Sequence, residues 1–356
     1  MTFVPASLRQ AWPSPTRPRP IVTIGAGSIV ADAHFPAYRK AGYEIAGLFD
    51  LDTARARAVA EKFGGLRVFA SLDEALATPG VIFDLATPPA AHKSVLERLP
   101  IGAAALVQKP MGSDLDAATA ILQVCRERRL IAAINFQLRF APMMLAVRDA
   151  LDRGLLGRLI DVELHLAVDT PWRLFAFLKA QPRVEITVHS IHYLDLIRGF
   201  LGDPKGVHAK TIGHPASDMA QTRTTAILDY GDEVRVAMSI NHDHAFGRRN
   251  QVAEFRFDGA EGAAYVKLGL LLGYPRGEPD ELWIRAKSET DWAQVPLHGA
   301  WFPDAFVGRM ANLQRFVAGE DKDLIASVED AWKTMALVEA AFESNARPAT
   351  PLRPRP

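Results

Sequence analysis

The sequence predicts an α/β protein with two domains, the first built on a doubly wound parallel sheet and the second on a mainly antiparallel sheet. Short apolar runs alternate with helical patterns up to about residue 140, as in parallel βαβ units. From residue 159 onward, several segments instead alternate apolar and polar residues, which indicates antiparallel strands with one covered face. At 356 residues the chain is also too long for one typical core.

The composition favours four segments along the chain. We expect a proline-rich arm over residues 1–18, the first domain over 19–140, the second over 141–345 and a tail over 346–356. The last helices of the second domain are expected to pack back on the first. The arm lacks the apolar stretch of a secretory signal, and no apolar run approaches the ~20 residues of a membrane span.

Charge and cysteine content exclude several classes of protein. Lys plus Arg and Asp plus Glu are both 41, so the chain lacks the basic excess of a protein that binds nucleic acid or an anionic membrane. The one cysteine, Cys125, rules out a disulfide within the chain and suits a reducing compartment. We therefore expect a cytoplasmic protein.

The first elements form a strand, a glycine turn, a helix and a second strand that ends on an acid. The apolar run at residues 21–24 leads into the turn, and Asp50 ends the second strand. This arrangement binds dinucleotides, because the glycines let the backbone approach a pyrophosphate at a helix N-terminus. The expected contacts in the turn are Gly25, Ala26, Gly27, Ser28 and Ile29. The alternative is an ordinary glycine turn in an α/β fold that binds no nucleotide.

Asp50 is expected to accept hydrogen bonds from the adenosine ribose hydroxyls. Followed by Leu51, it disfavours the 2′-phosphate of NADP by charge repulsion, although Arg55 could soften that effect. The sequence therefore favours NAD. Val30 replaces the third glycine of the usual pattern, which leaves the packing of the helix on the strand to be explained.

Polar residues follow three later strands of the first domain. They are Thr87 and Pro88 with His92 in the next helix, Gln108 and Lys109 before a proline, and Arg139 beyond the fifth strand. Because open parallel sheets bind ligands outside the carboxyl ends of their strands, we expect these residues to face one crevice. Arg139 is a candidate for substrate binding and the others for cofactor binding.

These motifs resemble the glucose–fructose oxidoreductase/inositol dehydrogenase (Gfo/Idh/MocA) family. The resemblance rests on GAGSIV, the acid at Asp50, ATPP followed by His92, and QKP. It implies a Rossmann domain, a C-terminal α/β domain with an open antiparallel sheet, and Lys109 between nicotinamide and the substrate hydroxyl. The family usually carries Glu-Lys-Pro, and this chain has Gln108 in place of the glutamate.

Lys109 is a candidate catalytic residue. A lysine in a partly buried pocket near a positively charged nicotinamide should have a lowered pKa, so that it could hydrogen-bond the reacting oxygen and help relay its proton. The alternative is a solvated surface lysine.

The second candidate catalytic residue is His192. In a helical stretch, His189, His192 and Asp195 are spaced three apart and share one face. The family pattern D-x-G-x-H-x-x-D aligns His192 with the general acid/base but places Val188 where the leading aspartate stands. His192 must then be tuned by His189, Lys109 or Glu185, or it is simply a core histidine.

Substrate contacts are expected from Lys109, Arg139, Trp172, Arg173, His189 and His192. A tryptophan offers an apolar platform for a sugar ring, and an arginine can bind a carboxylate or a pair of hydroxyls. We expect no metal. The alternative is that His189 and His192, with His242 or His244, ligate zinc or another divalent ion.

The predicted function is that of an NAD-dependent dehydrogenase acting on a small sugar or polyol. The helix sequence resembles the sugar-dehydrogenase branch of the family, which suggests oxidation of an aldose, a pentose or a branched, apiose-like pentose to a lactone. A homo-oligomer through the C-terminal sheet is implied by the resemblance. The alternatives are a non-catalytic dinucleotide-binding sensor and an NAD-assisted isomerase or eliminase.

Overall fold

The computed structural model describes residues 5–353, which group into two compact units. The parallel-sheet unit comprises Ser7–Asp149 and Leu297–Met335, and the mixed-sheet unit is formed mainly by Ala150–Pro296 and the chain from Ala336 onward. Residues 297–335 thus fold with the first domain. Among the described residues, no helix combines the length and the apolar character needed to cross a membrane.

The parallel-sheet unit contains a five-stranded sheet. Its strands are β1 (Ile21–Ile24), β2 (Ile45–Phe49), β3 (Ile82–Leu85), β4 (Ala104–Val107) and β5 (Ile131–Ile134). They pair in parallel in the order β2-β1-β3-β4-β5. Every residue of β1, β3 and β4 is buried, which is why these segments are apolar runs without alternation.

The α-helices of both units follow the predicted pattern. They are α1 (Phe35–Lys40), α2 (Thr53–Lys62), α3 (Leu72–Leu76), α4 (Pro89–Leu96), α5 (Leu115–Glu127), α6 (Pro142–Asp152), α7 (Ile191–Leu201), α8 (Asp304–Val317) and α9 (Val328–Ala346). Asp52 caps α2, because its carboxylate accepts the N–H of Arg55 at 3.0 Å. Ser71 caps α3, where its hydroxyl accepts the N–H of Glu74.

The first helix begins with a π-helical turn, Val30–His34, that leads directly into α1. Val30 is fully buried in the same core cluster as Ile21 and Phe35. Its N–H donates to the Gly27 carbonyl oxygen at 3.0 Å. Residue 30 therefore packs as a core side chain, which accounts for the absence of a third glycine.

The described part of the N-terminal arm from Ser7 onward packs on the parallel-sheet unit. The Trp12 indole donates to Asp321 at 2.7 Å, and its ring meets Phe140 edge-on with centroids 5.3 Å apart. The Thr16 N–H donates to Glu320 at 3.0 Å. These contacts show that the arm lies across the body of this unit.

The mixed-sheet unit contains an eight-stranded sheet in the order β13-β12-β11-β10-β6-β9-β8-β7. The strands are β6 (Leu159–Ala167), β7 (Gly206–Ile212), β8 (Arg223–Asp229), β9 (Arg235–Asn241), β10 (Val252–Gly259), β11 (Gly262–Lys267), β12 (Glu281–Ala286) and β13 (Ala293–Gln294). All pairs are antiparallel except β6 with β9. Sequence patterning had not identified β11 or β13.

The alternation in β6 matches its two faces. Val162, Leu164 and Leu166 are buried, whereas Asp161 and Glu163 on the other face pair with Arg235 of the parallel neighbour β9. The outer face of the sheet is therefore polar at this point and the inner face forms the core.

Two irregular helical segments precede α7 in the mixed-sheet unit. Trp172–Ala180 is a run of 3₁₀ turns, and Ile186–Ser190 is a π-helical turn continuous with α7. The residues Ile191–Arg198 are all buried. The helix expected around His192 is present, and it starts in a wider turn that carries His189.

Candidate active site

The glycine turn after β1 has the geometry of a phosphate cradle. Gly25 has a φ of +110°, and a Cβ there would lie 2.4 Å from the carbonyl oxygen of Ala86. A Cβ on Gly27 would meet no atom within 4 Å, so this residue faces open space. The backbone conformation and packing thus require glycine at position 25, whereas the missing side chain at Gly27 leaves room for a ligand to approach the backbone.

Asp50 lies directly after β2 and organises the same turn. Its two carboxylate oxygens accept the N–H groups of Ala26 at 2.7 Å and Asp52 at 2.8 Å. Each oxygen keeps a second lone pair, so ribose hydroxyls can still donate to it. Arg55 lies 3.9 Å from the carboxylate, and the turn and acid together fit the adenosine half of NAD.

The Thr87–Pro88 turn follows β3, and the side chain of His92 hydrogen-bonds to this turn. His92 is fully buried, and its Nε2–H donates to the Thr87 carbonyl oxygen at 2.9 Å. Burial lowers its pKa from 6.5 to about 4, and the Thr87 hydrogen bond opposes that shift. His92 is therefore neutral and holds the Thr87 turn in place, and its expected contact with the cofactor remains a prediction.

A buried polar network lies behind Gln108. His34 Nδ1 contacts the fully buried Asp84 carboxylate at 2.8 Å. Its Nε2 faces the amide nitrogens of Gln108 at 3.4 Å and Asn135 at 3.3 Å. With Nδ1–H donated to the acid, Nε2 is an acceptor that suits an amide NH₂, which explains why glutamine fits this position.

Sequence reasoning missed His34 and Asp84 as members of this network. A carboxylate inside the apolar run of β3 was the available signal, since a buried acid requires hydrogen-bonding partners. The other side of the Gln108 amide is also used: its oxygen accepts the N–H of Lys109 at 2.8 Å. The network thus fixes the backbone that presents this lysine.

Lys109 lies two residues beyond β4, before a cis peptide bond to Pro110. Part of its surface is accessible, yet burial lowers the pKa of its ammonium group from 10.5 to about 8. The side chain can therefore exchange a proton near neutral pH, as general acid–base catalysis requires.

Arg139 is held within the parallel-sheet unit by Asp330. Its guanidinium lies 3.0 Å from that carboxylate, and its side chain is 14% exposed. The ion pair orients the guanidinium of Arg139. Its expected contact with the substrate remains a prediction.

In the mixed-sheet unit, Glu185 supplies a fully buried carboxylate. The hydroxyl of Ser190 donates to its two oxygens at 2.8 and 3.0 Å, and the hydroxyl of Thr224 donates to Oε2. His242 Nε2 lies 3.4 Å from Oε1. Sequence reasoning named Glu185 only as a tuning group, and Thr224 gave no signal because it lies on a distant strand.

Trp172, His189 and His242 form an aromatic cluster beside this carboxylate. The imidazoles of His189 and His242 stack with centroids 4.4 Å apart, and the Trp172 ring meets them at 5.6 and 5.9 Å. The Trp172 indole donates to Asp243 at 2.8 Å. The structure thus joins Trp172 to His189 and His242, which the sequence had linked only as alternative metal ligands.

The other predicted residues of this unit lie in different surroundings. His192 is on α7 and 8% exposed. Val188 packs against the small apolar cluster formed by Leu178, Val184 and Met219. Arg173 is exposed and lines a cavity of ≈ 550 Å³.

Comparison with known protein families agrees with both units. The model described as "Oxidoreductase family, NAD-binding Rossmann fold" matches residues 20–136, and the "GFO/IDH/MocA C-terminal domain" matches residues 144–265. The chain belongs to the Gfo/Idh/MocA family. It is an NAD-dependent oxidoreductase of that family, with NAD as its cofactor.

Two named relatives resemble this chain over most of its length. D-apiose dehydrogenase of Paraburkholderia graminis is 27% identical over 87% of this chain and 84% of the relative. Inositol 2-dehydrogenase of Rhizobium meliloti is 24% identical over 90% and 95%. These relatives are sugar and polyol dehydrogenases.

A solved structure covers a similar share of the chain. An oxidoreductase from Agrobacterium radiobacter, in complex with NAD⁺, L-tartaric acid and magnesium, superposes with a TM-score of 0.77 over 93% of this chain and 97% of that one. At 22% identity the likeness shows the fold: a parallel sheet followed by a mixed, mostly antiparallel one.

Two departures from the Gfo/Idh/MocA pattern now have local structural explanations. Gln108 donates to His34, where a carboxylate would face an acceptor nitrogen. Val188 packs in an apolar cluster, and Glu185, three residues earlier, supplies a buried carboxylate near His242.

Proposed function

We propose that this chain oxidises a hydroxyl-bearing or hemiacetal carbon of a small sugar or polyol, most readily C1 of an aldose or pentose, to give a lactone. In the balanced reaction a CH–OH group and NAD⁺ become C=O, NADH and a proton, and bound NAD supplies the hydride acceptor at nicotinamide C4. The observation that carries the proposal is Lys109, whose pKa burial lowers to about 8 on a backbone fixed by Gln108.

Lys109 and His192 handle the proton in this proposal. The neutral Lys109 amine hydrogen-bonds the reacting hydroxyl oxygen and helps relay its proton. His192 takes the hydroxyl proton, a task that suits a side chain with an unperturbed pKa near ~6.5. Both residues lie at positions that align with the motifs of the family.

Trp172 and His189 bind the sugar in this proposal. The Trp172 indole is oriented by Asp243 and offers an apolar face to C–H groups of a ring. Arg139 and Arg173 complete the proposed contacts to hydroxyl or carboxylate groups. We also propose that the protein is cytoplasmic and forms a homo-oligomer through the sheet of the mixed-sheet unit. The pocket on the outer face of this sheet, lined by Trp283, Trp292 and Tyr265, supports an interface on that face.

A screen of aldoses, polyols and sugar acids with NAD, followed at the NADH absorbance band, tests this function. We expect NADH with at least one aldose, and loss of turnover by about 10²–10⁴-fold in Lys109→Met and in His192→Asn. Matched controls are Lys93→Met and His208→Asn, two exposed residues that should keep wild-type turnover.

Two results would contradict the proposal and identify the alternatives. Product formed without net NADH would indicate an NAD-assisted isomerase or eliminase. No turnover with any sugar, despite tight NAD binding, would indicate a sensor.

A further inference from the structure

We propose that Glu185, His189 and His242 form a binding site for one divalent transition-metal ion of the Zn²⁺ type. A carboxylate oxygen and one nitrogen from each imidazole all lie within 4.8 Å of one another. Glu185 precedes the π-helical turn before α7, His189 lies within that turn, and His242 directly follows β9. Residues far apart in sequence therefore converge on one point.

The donor set matches a known type of metal site. Two imidazoles with one glutamate bind zinc in catalytic sites, where the fourth position stays open for water or substrate. Nitrogen and carboxylate ligands suit Zn²⁺, Co²⁺ and related ions, whereas Mg²⁺ and Ca²⁺ prefer oxygen ligands alone.

Glu185 is prepared as a ligand by its hydrogen bonds. It is fully buried, and buried carboxylates are generally paired with a cation, hydrogen-bonded or bound to a metal. Ser190 and Thr224 donate their hydroxyl hydrogens to it, which fixes the carboxylate plane as outer partners do around bound metals. Its Oε1 is the oxygen nearest to His242.

The distance between Glu185 and His242 favours a shared ion over a direct bond. Oε1 and Nε2 are 3.4 Å apart, whereas charge-assisted hydrogen bonds measure about 2.7–2.9 Å. Two ligands of one tetrahedral zinc, each about 2.0–2.1 Å from the metal, lie roughly 3.3 Å apart. The observed gap is therefore the size of a coordination edge.

His242 is held in the orientation that this edge needs. It is 2% exposed, and its Nδ1 contacts the Thr170 hydroxyl at 2.8 Å. Its backbone N–H donates to Thr222 and its carbonyl accepts from Thr170, both at 3.0 Å. Nδ1 is thus used by an outer partner and Nε2 is directed at Glu185, the usual division for a metal-binding histidine.

His189 completes the set and provides access. Its ring stacks on His242 at 4.4 Å with an interplanar angle of 29°, and the residue is half-buried. Closing the 4.8 Å spread to a tetrahedral edge takes a contraction of about 1.5 Å, which a rotation of this less buried ring supplies. Three protein ligands leave one position for water or a ligand oxygen.

Metal binding by the full-length chain, after treatment with a chelator and without NAD or sugar, tests the proposal. Co²⁺ is titrated while its visible absorbance is recorded, and Zn²⁺ is titrated by calorimetry. We expect one ion per chain and at least 100-fold weaker binding in His189→Ala and His242→Asn. Thr224→Val should weaken binding about 10–100-fold, as loss of an outer partner does.

His208→Asn is the matched control, because this histidine is exposed on β7 and should leave binding unchanged. If His242→Asn fails to fold by circular dichroism, His189→Ala, at the half-buried ligand, still decides the question. Absence of stoichiometric binding, or equal affinity in wild type and both ligand variants, would overturn the site. Because the assay needs no turnover, its outcome is independent of the proposed dehydrogenase activity.

Discussion

Lys109 should hold a neutral amine near physiological pH. Burial lowers the pKa of its ammonium group from 10.5 to about 8. At pH 7.5 an amine with that pKa is neutral in about one molecule in four, against about one in a thousand for an unperturbed lysine. The environment of Lys109 therefore raises the reactive population roughly 200-fold.

Competitive labelling with a trace of an amine-reactive acetylating reagent measures this population directly. The full chain and a free lysine derivative are labelled together from pH 6 to 11, and the peptide that contains Lys109 is quantified by mass spectrometry. We expect its labelling to reach half of the maximum near pH 8, while the free derivative follows its own pKa of about 10.4. Lys109→Arg is the control that removes the signal.

The same pKa sets the pH dependence of catalysis under the proposed function. The neutral form increases as pH rises through about 8, so kcat/KM should rise with pH and level off above that value. Lys109→Arg should not restore activity, because a guanidinium stays protonated. A labelling midpoint near 10.5 would refute the argument that burial shifts this lysine.

Four further substitutions test the nucleotide-binding turn and the residue that precedes Lys109. Gly25→Ala places a Cβ 2.4 Å from a backbone oxygen at a φ of +110°, so we expect a strain of about 1–3 kcal/mol and a lower melting temperature. Gly27→Ala should keep the wild-type melting temperature but bind NADH more weakly, as measured by calorimetry. Asp50→Ala should raise the Kd for NAD at least tenfold (about 1.5–3 kcal/mol per charged hydrogen bond) and reduce discrimination against NADP; equal Kd values in wild type and variant would contradict this. Gln108→Glu adds a negative charge beside Lys109, so the labelling midpoint of Lys109 should move above about 8; an unchanged midpoint would show that the two side chains are not coupled.

Several features of this chain were determined by local sequence. The apolar run of β1, the glycines that follow it and Asp50 at the end of β2 predicted the nucleotide-binding turn. These signals can be recognised in the sequence because each depends on neighbours in the chain. Position 25, for example, has a φ of +110°, which glycine adopts far more readily than other residues. Lys109 before proline and the helix that carries His192 were predicted in the same way.

Local sequence could not predict the side chains that support these residues. Val30 replaced an expected glycine, and only the packing of the π-helical turn into the core shows why that is tolerated. Gln108 departs from the family motif because its amide faces the acceptor nitrogen of His34, which is 74 residues away in sequence. The sequence holds no periodicity that joins residues on separate elements, so such partners appear only in the folded chain.

The sequence by itself determined the fold class and NAD as the cofactor, because strand, turn and helix signals act between near neighbours. Only the tertiary structure decided that Glu185, His189 and His242 share one point, and that Thr224 anchors the carboxylate. The reason is physical. A buried charge is satisfied by whichever strand the fold brings alongside it, and the order of strands in the sheet is set by packing of the whole core.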